Sequence, residues 1–121
     1  GKIIGVDLDQ SATIDEYEDG LTVTSAMKGL QVTIDNVLSA IKGGTWDAYA
    51  GEMENLGLES ANPEENYVQL PETTTQWDDN FTVDDYRDLV QRMYDGELTV
   101  SGDTTSFPET EIQATDYGSI K

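Results

Sequence analysis

Four polar residues near the start of the chain are of types that could hold a small polar ligand. Asp7, Asp9 and Gln10 lie in the stretch Gly-Val-Asp-Leu-Asp-Gln, and Lys28 closes the stretch Thr-Ser-Ala-Met-Lys. Each stretch follows an apolar run typical of a β-strand. In an open parallel sheet, ligands bind beyond the carboxyl ends of the strands, where carboxylates can hydrogen-bond sugar hydroxyls. We therefore predict a ligand-binding edge formed by Asp7, Lys28, Asp9 and Gln10.

A calcium site is the competing interpretation of the same acidic loop. Oxygen-bearing side chains stand at positions one, three, five and twelve of an EF-hand-like spacing: Asp7, Asp9, Ser11 and Glu18. Position six is Ala12 where such a loop needs glycine, and a strand instead of a helix leads into the loop. We therefore expect no tight metal site. A calcium loop requires Asp7, Asp9 and Glu18 to converge, whereas the ligand edge requires Asp7 and Lys28 to converge.

The charge balance and the residue types narrow the classes of function. The chain has 121 residues, with 25 Asp and Glu against 6 Lys and Arg and a formal net charge of -19. Nucleic acid is not an expected partner, because phosphates are bound by Lys and Arg. Cysteine and histidine are both absent, which excludes thiolate chemistry and the commonest general base. We predict a single non-catalytic domain that carries no cofactor and no metal.

Apolar periodicity predicts the elements that position these residues. Lys2 to Val6 has the composition of a buried parallel strand, and Leu21 to Ser25 alternates like a short strand. Spacings of three and four then predict an amphipathic helix that begins next to Lys28 and ends at Gly43 and Gly44. Its apolar stripe comprises Met27, Leu30, Ile34, Val37, Leu38 and Ile41.

A second helix is predicted to begin after Thr82, a good N-cap residue, and to end at Gly96. Phe81 is placed to pack against Tyr86 across the cap. The predicted buried stripe comprises Tyr86, Leu89, Val90 and Met93.

Weaker patterns predict short strands and an irregular tail. Residues 52–58 and 98–100 alternate imperfectly, and residues 67–70 form a short apolar run that Pro71 stops. Residues 72–80 are typical of a polar linker, and residues 101–121 of an irregular tail.

The order of these motifs closely resembles the basic membrane protein family, which comprises substrate-binding lipoproteins of ABC transporters and includes purine nucleoside receptors. The shared pattern is Gly-Val-Asp-x-Asp-Gln, then Thr-Ser-x-x-Lys, then a helix. Further on, a helix ends in Gly-Glu before an alternating strand, which corresponds here to residues 95–100. The match covers roughly the first hundred residues in the same order, which makes it more specific than any single motif.

The resemblance implies an α/β fold, part of a type I periplasmic-binding-protein-like lobe in which helices flank a parallel sheet. Residues 1–121 would form a carboxyl-terminal part of such a protein. Asp7 would hold the ribose hydroxyls of a nucleoside-like ligand, and Lys28 would bind the same region. The implied partners are the ligand and ABC permease subunits, with membrane attachment only through a lipid anchor on the amino-terminal part. The implied location is the extracellular face of the cell membrane or the periplasm. The alternative is a non-catalytic extracellular interaction or calcium-binding module.

Overall fold

The computed structural model describes residues 1–102, 105, 106, 111, 113, 115 and 118. The elements follow in the order β1 (Ile3–Asp7), α1 (Ser11–Ile14), β2 (Thr22–Lys28), α2 (Leu30–Gly43), β3 (Val68–Gln69) and α3 (Val83–Tyr94). Two single 3-10 turns, Trp46–Ala48 and Pro63–Glu65, lie between α2 and β3. Strands and helices thus share one chain, and the α/β class is confirmed.

The described strands form one mixed sheet in the order β1-β2-β3. β1 and β2 are parallel, with Val6 opposite Ala26 and Asp7 opposite Met27. β3 is antiparallel to β2, with Lys28 opposite Val68. The expectation of a parallel sheet is therefore met by β1 and β2 and is wrong for β3.

β2 runs three residues further than its alternation suggested. The predicted strand ended at Ser25, but pairing with β1 on one side and β3 on the other keeps the chain extended through Lys28. Lys28 is consequently the last residue of a strand instead of the first residue of a helix, and α2 begins at Leu30 after Gly29. This correction places the lysine at the carboxyl end of β2.

α2 turns its apolar stripe toward solvent. It ends where the glycine pair predicted, with Gly44 in the left-handed conformation. Ala40 is buried, and the Asn36 amide donates a hydrogen bond to the Tyr67 hydroxyl. The side of α2 that carries Asn36 and Ala40 therefore faces the rest of the protein. The larger apolar residues of the stripe, in contrast, are about half exposed: Leu30, Ile34, Leu38 and Ile41. Four of the six residues of the predicted stripe are therefore exposed on the described chain, while Met27 and Val37 are half-buried.

α3 begins with a complete capping box. The Thr82 hydroxyl accepts the Asp85 N–H, and the Asp85 carboxylate accepts the Thr82 N–H at 2.8 Å. Tyr86 and Val90 are buried, as the predicted stripe requires, while Leu89 and Met93 are half-buried. Trp77 stacks on Tyr86 with ring centroids 5.5 Å apart and also lies beside Phe81. The tryptophan from the predicted linker thus joins the two rings that were expected to contact each other directly.

Two predicted strands are wrong. Residues 52–58 and 98–100 have no regular secondary structure, because neither finds a strand to pair with in the described part of the chain. The predicted tail, 101–121, falls largely outside the described residues, and its described members lie in no helix or strand. Among the residues that the structure describes, no helix is both long and apolar enough to cross a bilayer.

Candidate functional site

Two opposite charges meet at the carboxyl ends of the parallel strands. Asp7 is the last residue of β1 and Lys28 the last residue of β2. The Lys28 ammonium lies 2.7 Å from the Asp7 carboxylate, and both side chains are more than half exposed. Exposed ion pairs of this kind contribute only about 0–1 kcal/mol to stability. The pair can therefore exchange its mutual contact for contacts to a polar ligand at low energetic cost.

Asp7 has a backbone conformation that side-chain-bearing residues seldom adopt. Its φ is +72°, and the Leu8 N–H donates to the Val6 carbonyl at 2.9 Å, which closes a three-residue turn around it. This type of γ-turn is rare and strained, although Asp tolerates the left-handed region better than most residues. Strained residues cluster at functional sites because the surrounding structure holds them there. The turn ends β1 abruptly and fixes the carboxylate at the sheet edge.

A cavity of about 470 Å³ lies next to the ion pair. Its volume is within the range of small-molecule sites. Its walls come from the residue after β1, the end of β2, the start of α2, the turn before β3 and β3 itself; they include Leu8, Lys28, Leu30, Asp35, Glu64 and Gln69. Asp7 lies beside this cavity through its contact with Lys28 and is not one of the lining residues. Lys28 is the one cation among its lining residues, which also include the carboxylates of Asp35, Glu64 and Glu65, so a neutral hydroxyl-bearing group suits the cavity better than an anion.

Gly29 brings the chain into close contact with the segment before β3. Its N–H donates to the Tyr67 carbonyl at 2.8 Å, and a Cβ at this position would overlap the Asn66 carbonyl oxygen. The Asn66 side chain is fully buried and accepts the N–H groups of Glu59 and Ser60. The cavity wall is therefore fixed by close backbone packing directly after Lys28.

Asp9 points away from the direction that the sequence suggested. An extended chain would place Asp7 and Asp9 on one face, but the turn at Asp7 breaks that alternation. The Asp9 carboxylate accepts the Ser11 N–H at 3.0 Å and the Thr74 hydroxyl at 2.7 Å. Partial burial opposes its ionisation, but these hydrogen bonds outweigh that effect and lower the pKa of Asp9 below its ordinary value. Asp9 thus ties the loop after β1 to residue 74.

Gln10 closes the same loop against the sheet. Its side-chain oxygen accepts the Val6 N–H at 3.1 Å, and its own N–H donates to the buried Ser25 hydroxyl at 3.1 Å. These two hydrogen bonds fix the loop that follows Asp7 to β1 and β2, so Gln10 helps to hold Asp7 in position.

The geometry separates the two interpretations of the acidic loop. Asp7 converges with Lys28, as the ligand edge requires. Within the described residues, no group of three or more acidic side chains is arranged to hold a metal ion, and Asp7, Asp9 and Glu18 all belong to that part of the chain. The observed arrangement favours the ligand edge over the calcium loop.

Sequence reasoning missed Gly29 and Thr74. A glycine between a strand-ending lysine and a helix was a usable signal, because close backbone approach often requires glycine. Thr74 had no such signal: it lies 65 residues from Asp9 in a polar segment, and only the fold brings the two together. No protein-family model, curated protein or solved structure matches the chain.

Proposed function

We propose that this chain is the solute-binding component of an ABC importer and holds a nucleoside-like small molecule at the Asp7–Lys28 edge. The observation that carries the proposal is the meeting of these two charges at the ends of adjacent parallel strands, beside a cavity of about 470 Å³. Ligands of open α/β sheets bind at this position. The chain would bind and deliver its ligand without covalent chemistry.

The chemistry of the pair suits a ribose-like group. A carboxylate can accept hydrogen bonds from two neighbouring hydroxyls, and an ammonium can donate to the oxygens of the same group. The Lys28 Nζ and Asp7 Oδ1 atoms are 2.7 Å apart, so one vicinal diol could contact both side chains. The strained turn at Asp7 supports the same role, since it fixes the carboxylate before a ligand arrives.

The remaining features of the proposal come from the family resemblance. They are a type I periplasmic-binding-protein-like lobe, ABC permease subunits as partners, and a location at the extracellular face of the membrane or in the periplasm. The strongly acidic composition is compatible with an extracellular medium, because net charge favours solubility.

NMR titration of the labelled chain with inosine tests the proposal. The cavity is open, so we expect millimolar affinity, with chemical-shift changes concentrated at Asp7, Leu8, Lys28 and Gly29. Asp7→Asn removes the charge but keeps a residue that tolerates positive φ. It should weaken binding by roughly 1.5–3 kcal/mol through loss of charge-assisted hydrogen bonds.

Matched controls separate this site from general charge effects. Lys28→Met should also weaken binding, whereas Lys42→Met removes an exposed lysine at the far end of α2 and should leave binding unchanged. Asp88→Asn, on the exposed side of α3, is the corresponding control for Asp7→Asn. The proposal would be contradicted if the chemical-shift changes lay away from the strand ends, or if they persisted in both Asp7→Asn and Lys28→Met.

A further inference from the structure

The turn before α3 carries the tripeptide Asn80-Phe81-Thr82. An asparagine followed two positions later by Ser or Thr, with a residue other than proline between them, is an acceptor sequence for N-linked glycosylation. Asn80 is the only one of the five asparagines in the sequence that has this context. Tripeptides of this kind also arise by chance, so the surroundings of Asn80 decide whether it can be modified.

Asn80 lies in a tight turn and is exposed. The Asp78 carboxylate accepts the N–H of Asn80 at 2.7 Å and the N–H of Phe81 at 3.1 Å, and the backbones of Asp78 and Phe81 pair across the turn. These bonds fix the turn through the backbone of Asn80 alone. Its side-chain amide makes no hydrogen bond within the part of the chain that the structure describes. A bulky sugar can therefore be attached there without breaking a hydrogen bond of that amide.

The other four asparagines lack the acceptor sequence, and three of them lack a free side chain as well. Asn66 is fully buried, the Asn36 amide donates to a tyrosine hydroxyl, and the Asn62 side chain accepts a backbone N–H. Asn55 is exposed, but the two residues that follow it carry no hydroxyl. Exposure, a free amide and the acceptor sequence thus coincide only at Asn80.

We propose that Asn80 carries an N-linked glycan that is attached while the chain is exported. The inference rests on the extracellular location in the proposed function, because this modification marks surface loops of secreted proteins. The donor is an oligosaccharide joined through its C1 atom to a lipid-linked phosphate. A bond forms between Asn80 Nδ2 and C1 as the bond from C1 to the phosphate oxygen breaks. The lipid-linked phosphate leaves with the bonding electron pair, and the amide loses one of its two protons to a basic group of the transferase.

The capping box of α3 determines when this transfer can take place. In the folded chain the Thr82 hydroxyl accepts the Asp85 N–H at 3.2 Å and donates to the Asp85 carboxylate at 2.7 Å. The hydroxyl that completes the acceptor sequence is therefore fully engaged once the helix has formed. A transferase that recognises this hydroxyl has to act before α3 folds. The cap can close afterwards beside the sugar, because it does not involve the Asn80 side chain.

Peptide mapping by mass spectrometry, on the protein isolated from the cells that produce it, tests the site. Trypsin releases residues 43–87 as one peptide, because the basic residues that flank Asn80 are Lys42 and Arg87. We expect this peptide to carry a glycan on Asn80 and to lose it in Asn80→Gln. Exported protein with an unmodified Asn80 would overturn this inference and leave the proposed function standing. Protein found only inside the cell, and unmodified, would overturn both the inference and the proposed location.

Two substitutions at Thr82 separate the acceptor sequence from the helix cap. Thr82→Ser keeps both the hydroxyl and a good N-cap, so the glycan should remain. Thr82→Asn keeps a good N-cap but removes the hydroxyl, so the glycan should be lost while the urea midpoint of the unmodified chain stays nearly unchanged. Circular dichroism checks that both variants fold. Equal glycan occupancy in the two variants would overturn the proposal.

Discussion

Replacing glycine by alanine should have opposite effects on the stability of the folded chain at the two ends of α2. Gly29 precedes the helix and packs against the Asn66 backbone, whereas Gly43 is its last residue and an added Cβ there would meet no atom within 4 Å. The φ of Gly29 is −73°, which alanine adopts readily, so the cost at this position is steric and not conformational. The comparison therefore isolates the effect of close packing.

The obstacle at Gly29 cannot easily move. The Asn66 carbonyl oxygen accepts a hydrogen bond from the Gln69 amide at 2.7 Å, and the Asn66 side chain is held by three further hydrogen bonds. The Gly29 N–H is itself fixed to the Tyr67 carbonyl. Overpacking generally costs about 1–3 kcal/mol. Because both sides are backbone, we expect Gly29→Ala to cost about 3 kcal/mol.

Gly43→Ala should stabilise the chain. Alanine loses less backbone entropy than glycine on folding, and at compatible positions the gain is about 0.4–1 kcal/mol. Gly5→Ala provides an intermediate case, because its Cβ would lie 2.5 Å from the Ser25 hydroxyl, which can rotate away, and 3.0 Å from the Gln10 Cβ. That rotation would break the bond from the Gln10 N–H, so we expect a smaller loss than at Gly29.

Urea unfolding followed by circular dichroism measures these differences. With a slope of about 1–3 kcal/mol per molar for small proteins, Gly29→Ala should lower the midpoint by about 1 M or more. Gly43→Ala should raise the midpoint by a few tenths of a molar. If Gly29→Ala were neutral, or if the two variants shifted the midpoint in the same direction, the close packing behind the cavity would be refuted.

Two further predictions concern α3 and its surroundings. Thr82→Ala should lower the unfolding free energy by about 1 kcal/mol through loss of the cap. Leu89→Ala should lower it by about 2 kcal/mol, the low end for a leucine, because Leu89 is only half-buried. Urea melts in which Leu89→Ala is the milder change would contradict the assigned helix face. Hydrogen bonds from Arg87 lower the pKa of Glu72 in the folded chain. The ionised Glu72 therefore contributes to the free energy of unfolding above its unfolded pKa, and this contribution is lost as the pH falls through the folded pKa. The stability difference between the natural chain and Glu72→Gln should therefore be full at neutral pH and begin to shrink as the pH approaches the ordinary glutamate pKa of about 4.3. It should vanish below the lowered folded-state pKa, whereas a difference that persists in strong acid would exclude this ion pair as its source.

The local pattern of the sequence was sufficient to predict the elements that depend on neighbouring residues. The cap at Thr82, the end of α2 at its glycine pair and the presence of β1 all follow from short-range backbone and side-chain preferences. The placement of Asp7 at a strand end follows in the same way. That Asp7 and Lys28 would share one edge required one more assumption, that the two strands are parallel, and the structure meets it.

Contacts between distant segments decided the rest. The antiparallel β3 extends β2 to Lys28, and Thr74 draws Asp9 away from the ligand edge. The outward orientation of the α2 stripe depends on which surfaces are present to cover it, and periodicity records only that a stripe exists. Spacing along the chain determines which side chains share a face, whereas tertiary packing determines what that face meets, because burial is a property of the neighbours and not of the stripe itself.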